Sequence, residues 1–320
     1  MNKVILIILL FISTISIAQY APAAGQSGST AIYRDSNVFV SWASNASITR
    51  GWVNAQDTSL GIATYGVDNN AVGIADNSTV SLGDGGLAII SFANTIVDGP
   101  SWDFAVFENS FDDFFLELAF VEVSSDGQYF VRFPSHSLTQ IDSQITTFGT
   151  LEATKINNLA GKYKGGYGTP FDLSELQGNA NLDLQNINFI RIIDVVGSID
   201  STIASYDSNG NIINDPFPTP FPSSGFDLDA IGVINQNVGF SKLNTKSDVS
   251  IFPNPCKDFV YIKTNTNTKI QIFNMLSQLY VNIDIKGGLN KINTSSLPKG
   301  VYVVNLIFNK NRICKKLIIK

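Results

Sequence analysis

No cysteine precedes Cys256, and the only other one is Cys314. The long region before them therefore has no disulfide framework, no thiol nucleophile and no Cys-ligated zinc. The spacing of the two thiols leaves open whether they pair or stay free. Histidine occurs once, as His136. Histidine-rich metal centres are excluded, and a Ser-His-Asp relay would have to use this one residue without a Gly-x-Ser-x-Gly elbow. His136 reads as a surface residue in the loop Pro134-Ser-His-Ser137. Helical periodicity is nearly missing. The one candidate is Pro170–Leu176, with Thr169 as cap and Asp172 at capping-box spacing. After the N-terminus no stretch approaches 18 apolar residues, so no transmembrane helix is expected.

Positive charge is also scarce where the chain is longest. Residues 20–240 hold 7 Lys/Arg against 24 Asp/Glu, a net of −17, whereas residues 241–320 hold 13 Lys/Arg against 3 Asp, a net of +10. The acidic part would repel nucleic acid and anionic lipid, so no nucleic-acid partner is expected. The flip in sign marks a boundary between parts with different tasks.

What the chain has in quantity is turn and strand chemistry: 25 glycines and 22 phenylalanines among 320 residues. Met1–Ala18 reads as a signal peptide, with Lys3 before the apolar run Val4–Phe11 and small residues leading to cleavage between Ala18 and Gln19. Strand signals follow at Asn37–Ala43, Leu87–Phe92, Trp102–Phe107, Leu118–Ser124, Tyr129–Phe133, Phe189–Val196 and Phe226–Asn235. Ser125-Asp126-Gly127 predicts a hairpin between two of them. In Trp102–Phe107, Phe104 and Val106 share one face while Asp103, Ala105 and Phe107 share the other. Many short strands with frequent turns predict an all-β fold, a jelly-roll-like β-sandwich over residues 20–235. The polar stretch 236–248 reads as a linker, and 249–320 as a second, smaller β-domain.

Several groups could carry chemistry. Asp227 and Asp229 lie two apart on a predicted strand, so their carboxylates share a face about 7 Å apart; Phe226, Leu228 and Ala230 are expected to face the core. Together with Asp103, Glu108 and Asn109 they offer oxygen ligands suited to a structural Ca²⁺ ion. Asp84, in a glycine turn, is a further oxygen donor. Asp207-Ser-Asn209-Gly-Asn211 begins like a calcium loop but lacks its later glycine and glutamate, so it reads as an Asn-Gly turn. Gly161–Gly168 is glycine-rich without the Gly-Lys-Ser/Thr ending of a phosphate loop; Tyr163 and Tyr167 on it are candidates to stack on a sugar. No pair of carboxylates stands out as catalytic.

Two resemblances add to this. Phe252-Pro253-Asn254-Pro255, the Leu297-Pro-Lys-Gly300-Val-Tyr302 segment and the lysine-ending last strand resemble the type A C-terminal sorting domain of the type IX secretion system, found in Bacteroidota. The resemblance implies an Ig-like sandwich over 249–320, the type IX machinery as partner, and export across the outer membrane to the cell surface or medium. Attachment to surface polysaccharide is one implied fate. Earlier segments, including Leu82-Gly-Asp-Gly-Gly86, Asp103–Asn109, Val121–Gly127, Gly166–Leu173, Asp215–Phe221 and Gly225–Ala230, resemble a recurrent bacterial cell-surface family without an assigned activity. The Val121–Gly127 hairpin is similar to galactose-binding-like jelly rolls, which implies a binding module. A non-catalytic glycan-binding or adhesion module is the leading expectation. A carboxylate-dependent hydrolase, or a capture protein serving an outer-membrane transporter, are its alternatives.

Overall fold

The computed structural model describes residues 20–237, 249–276, 278–308 and 311–320. The expected signal peptide Met1–Ala18, the Ala18–Gln19 cleavage point and residues 238–248 of the expected linker lie outside the described residues. The chain divides into two compact units, Met1–Val238 and Gly239–Lys320. Gln236 and Asn237 still bond within the first unit: Ser41 Oγ donates to Gln236 Oε1 at 2.7 Å, and Asn237 N donates to Thr95 O at 2.9 Å.

The first unit is built from short strands. They are β1 (Ile32–Tyr33), β2 (Ser41–Trp42), β3 (Asn45–Thr49), β4 (Val80–Ser81), β5 (Leu87–Ile96), β6 (Phe104–Glu108), β7 (Ala119–Ser124), β8 (Val131–Arg132), β9 (His136–Ser137), β10 (Ile156–Asn157), β11 (Tyr167–Phe171), β12 (Ile187–Asp194) and β13 (Asp227–Val233). One sheet runs β1-β11-β6-β13-β2 with β4 also on β13; the other runs β3-β5-β12-β7-β8; β9 and β10 pair separately. All these pairings are antiparallel. Chain neighbours repeatedly fall in different sheets, as a jelly-roll-like sandwich requires.

Alternation builds the core between the sheets. Phe104, Val106, Phe171 and Leu228 from one sheet meet Ile90, Val121, Val123, Ile190 and Ile192 from the other. Phe104 stacks on Phe171 at 5.3 Å, and Phe133 closes the trio. The outer faces are covered as well. Ala105, Phe107 and Ala230 pack under Phe39 and Trp42, while Leu118, Phe120 and Val195 are covered by the loop residues Ile145, Leu151, Leu159 and Ile213. Every residue of β7 and β13 is consequently buried.

Two local expectations are corrected. Pro170 does not open a helix but sits in β11. That strand pairs with β6 through Thr169–Phe171 and with β1 only at Tyr167 and Gly168, leaving Pro170 at an edge where its missing N–H disturbs no ladder. The helical part shrinks to a 3₁₀ turn at Leu173–Leu176, capped by Asp172, which accepts from Ser174 N at 2.9 Å. In β13 the register shifts between Leu228 and Ala230. This bulge reverses parity: Leu228, Ile231 and Val233 enter the main core, while Ala230 turns to the Phe107 side.

The second unit holds β14 (Ser250–Phe252), β15 (Phe259–Thr264), β16 (Thr268–Asn274), β17 (Leu279–Ile285), β18 (Gly288–Asn293), β19 (Gly300–Phe308) and β20 (Asn311–Ile319). Its sheets run β14-β15-β18 and β17-β16-β19-β20. They enclose a core of Val260, Ile262, Ile270, Ile272, Val304, Leu306 and Leu317. The Pro253-Asn254-Pro255 segment is tied to the last strand: Asn254 Nδ2 donates to Lys316 O at 2.8 Å and Oδ1 accepts from Ile318 N at 2.9 Å. Tyr302, just after Gly300, is buried with its hydroxyl on Pro298 O at 2.7 Å. Both cysteines are free thiols, Cys256 buried and Cys314 exposed.

Gly161 is one position where the backbone demands glycine. Its φ is +80°, and a Cβ there would lie 1.8 Å from the Glu117 carbonyl oxygen. We expect Gly161→Ala to cost on the order of 3 kcal/mol and lower the melting midpoint by roughly 10 °C. An unchanged thermal melt would contradict this packing.

Candidate functional site

Acidic residues collect at one end of the first sandwich, where strand ends of both sheets meet. Glu108 ends β6, Asp227 opens β13 beside it, Asp194 ends β12, and Glu117 lies just before β7. Asp84, in the glycine turn before β5, and Asp215, in the loop before β13, join them. All six are buried. Backbone amides hold most of them: Asp194 accepts from Gly85 N (2.9 Å) and Phe226 N (2.7 Å), Asp215 from Leu118 N (3.1 Å), Asp84 from Ala55 N (2.7 Å) and Glu108 from Ser110 N (2.8 Å). Asp227 accepts from Ser81 Oγ. Glu117 accepts no hydrogen bond from the described residues.

The ion pairs among the described residues lie elsewhere, Arg132 and Arg191 on Glu122 and Lys164 on Asp113. Arg50 stands near Asp227, with its guanidinium committed to the carbonyls of Tyr65, Gly66 and Ser81. Burial therefore holds Glu108, Glu117, Asp194 and Asp215 well above the usual carboxylate range, and their neighbours' negative charge adds to the effect. Burial also lifts Asp84 and Asp227 to about 6.

Glu117 lies between two cavities and lines both. The outer one is a cleft of about 210 Å³ lined by Asn109, Ser110, Thr147, Thr219, Ser223, Glu117 and Asp227, with Phe111, Phe115, Phe148 and Phe221 around them. The rings form a chain: Phe111 stacks on Phe115 at 4.7 Å, Phe115 meets Phe148 at 6.2 Å and Phe148 meets Phe221 at 6.0 Å. Phe111 is 71% exposed and Phe148 70%. A row of exposed ring faces beside hydroxyl, amide and carboxylate groups suits a ligand with apolar faces and polar edges. The inner cavity, about 10 Å³, is lined by Asp84, Glu117, Asp194 and Asp215 with Thr219 and Gly197.

The structure divides the residues expected to form one cation site. Glu108, Asn109 and Asp227 meet at the cleft end. Asp103 is at the other end of β6, about 16 Å away along the strand, and this corrects its grouping with them. Its Oδ1 accepts from Gly99 N (2.8 Å) and Asn235 Nδ2 (2.9 Å), and its Oδ2 from Leu173 N (2.7 Å). There it meets Asp98 and Asp172, with oxygens within 4.8 Å of one another. Asp229 instead accepts from Asp76 N and Asn77 N, both at 3.2 Å, and so supports a turn.

The tyrosine expectation is also corrected. Tyr163 is 1% exposed, and its hydroxyl is bonded to Thr30 Oγ1 at 2.8 Å, so its ring is core and out of a ligand's reach. Tyr167 belongs to β11 and packs on Tyr33 at 5.2 Å. Lys162, beside Tyr163, is buried and donates to Ile156 O at 2.7 Å. His136 lies in β9, half-buried, with Nδ1 against Tyr20 OH at 2.9 Å, and no acid among the described residues is hydrogen-bonded to it. Asp207 holds its own turn, accepting from the amides of Asn209 and Asn211 at 2.9 Å. Sequence reasoning missed Glu117, Asp194 and Asp215 as site residues, and Phe111, Phe148 and Phe221 with them. A signal was present for the first two: Leu116-Glu-Leu118 and Ile193-Asp-Val195 each embed one acid in an apolar stretch.

Fold and site together define a two-unit all-β protein. Residues 250–320 match the family described as the secretion system C-terminal sorting domain. The second unit is thus a sorting domain of the type IX system, which implies export across the outer membrane to the cell surface or medium. No curated protein matches the chain. Among solved structures it is similar to PorZ, a surface component of the type IX system of Porphyromonas gingivalis, at 14% identity and a TM-score of 0.22, over 40% of this chain and 20% of that one. A β-glucuronidase from Ruminococcus gnavus matches at 10% identity and a TM-score of 0.18, over 74% of this chain and 35% of that one. The BSP domain of a biofilm-associated protein matches at 12% identity and a TM-score of 0.20, over 87% and 52%. These structures are all longer than the span matched, and at such TM-scores the likenesses carry no argument.

Burial lowers the Lys162 amine to about 8. In the unfolded chain it stays protonated to about 10.4. Between those values the unfolded state binds the extra proton, so stability rises with pH. Urea melts from pH 7 to 10 are expected to show a rise in the natural chain that Lys162→Met lacks. Equal slopes in both would contradict the burial of this amine.

Proposed function

We propose that the first unit is a non-catalytic ligand-binding or adhesion module, exported with the Met1–Ala18 signal and then by the type IX machinery. Its ligand is a glycan held in the Phe-rimmed cleft. The observation that carries this reading is the exposure of Phe111 and Phe148 beside a polar cleft floor. Rings left in water at this level gain free energy when a sugar face covers them, and the floor supplies partners for hydroxyl groups. The bound or released state of the exported protein is part of the same proposal, surface polysaccharide being one ligand it would meet.

A second reading is supported by the two carboxylates in the same cleft. Glu117 is raised well above its usual range and Asp227 to about 6, the arrangement of a carboxylate-dependent hydrolase with a protonated acid.

The test is a glycan array probed with the full chain and with Phe148→Ala. Binding is expected to weaken roughly tenfold in the variant, the loss of one stacking face, with the melting curve unchanged. Equal binding by both would remove the cleft from consideration. Sugar release that disappears in Glu117→Gln would establish the hydrolase instead.

A further inference from the structure

The inner cavity poses a separate problem. Asp84, Glu117, Asp194 and Asp215 all line it, and at about 10 Å³ it has room for roughly one water or one ion. Backbone amides fix three of these carboxylates without neutralising them. Glu117 is different. It is only 8% exposed, lines the cavity, and accepts no hydrogen bond and no ion pair from any described residue. A carboxylate so largely withdrawn from water, with no partner inside the protein, is unfavourable, and a counter-charge inside the cavity relieves it.

The backbone also yields to this group. At Gly197 a Cβ would sit 1.6 Å from Asp215 Oδ1, so any side chain there would displace the carboxylate. The donor set is anionic oxygen throughout, with no histidine or thiol among the lining residues. That chemistry selects a hard divalent ion. Calcium takes six to eight oxygens in irregular arrangements and accepts water among them, whereas magnesium demands a near-ideal octahedron. No three of these four carboxylates bring their oxygens within 4.8 Å of one another as Asp98, Asp103 and Asp172 do, so an ion in the cavity would draw them inward. That trio has no unpartnered buried carboxylate to match Glu117: both oxygens of its buried member, Asp103, already accept hydrogen bonds.

We propose that Glu117, Asp194 and Asp215, with Asp84, hold one divalent cation of the calcium type beneath the floor of the cleft. The ion ties the turn before β5, the entry to β7, the end of β12 and the loop before β13 into one unit. The proposal does not depend on what the cleft above it binds.

The full chain is stripped with EDTA, dialysed into metal-free buffer and titrated with calcium chloride. Bound metal is counted by equilibrium dialysis, with melting followed in parallel. One calcium per chain is expected, with a midpoint that climbs with calcium concentration and at least tenfold weaker binding of magnesium. Glu117→Gln is expected to weaken calcium binding at least tenfold while raising the melting point of the metal-free chain, since it removes a buried charge. Asp215→Asn provides a second variant should the first misfold, with the same loss of binding. Asp98→Asn is expected to bind as the natural chain does. The proposal is overturned by a chain that binds no calcium, by calcium binding that survives both Glu117→Gln and Asp215→Asn, by binding lost in Asp98→Asn, or by equal affinity for magnesium.

Discussion

Withdrawing six carboxylates from water at one end of a sandwich is costly, and much of the first unit is arranged around that cost. Each isolated anion would strongly oppose burial. The fold answers with backbone amides from segments distant in sequence: Ala55, Gly85, Leu118 and Phe226. These bonds fix the loops that bear them, so the same acids that penalise the fold also define the end of it. The chain also gives up a side chain to make room for an acid, as at Gly197 against Asp215. Glu117 remains without such a donor, and with Thr219 it lines both the inner cavity and the cleft.

The two units solve opposite electrostatic problems. The first concentrates anions in its interior and carries a net of −17 over residues 20–240; the second region carries +10. In the second unit the stabilising logic is ordinary. A small apolar core is closed by an entry segment whose Asn254 pairs with the backbone of the last strand, so that both ends of the unit are stitched together. Export chemistry resides there, and any chemistry at the cleft resides in the first unit.

Much of the fold could be read in the sequence. The alternation in β6, with Phe104 and Val106 against Ala105 and Phe107, is found as expected, and so is the hairpin of β7 and β8. The failures have physical causes. Pro170 carries helix-start signals, yet an edge position in β11 satisfies a proline equally well. The bulge in β13 reverses parity and cannot be seen in a regular two-residue pattern. The glycines around Tyr163 suggested an open loop, whereas the ring and Lys162 are drawn inward by tertiary packing. The site was less legible than the fold. Local pattern points to Glu108, Asn109 and Asp227, but equally to Asp103, which lies at the far end of β6 from them. Glu117, Asp194 and Asp215 come from three separate stretches, and only the pairing of strand ends brings them together. The exposure of Phe111 and Phe148 is likewise a tertiary property that composition cannot show.

The buried acids either hold a cation below the cleft, as proposed, or stand there as protonated, purely structural groups. The most direct measurement is the anomalous difference map of a crystal of this chain grown with calcium. One strong peak is expected within coordination distance of Glu117 and its neighbours Asp194 and Asp215. A cavity containing only water, with no anomalous signal there at saturating calcium, would contradict it.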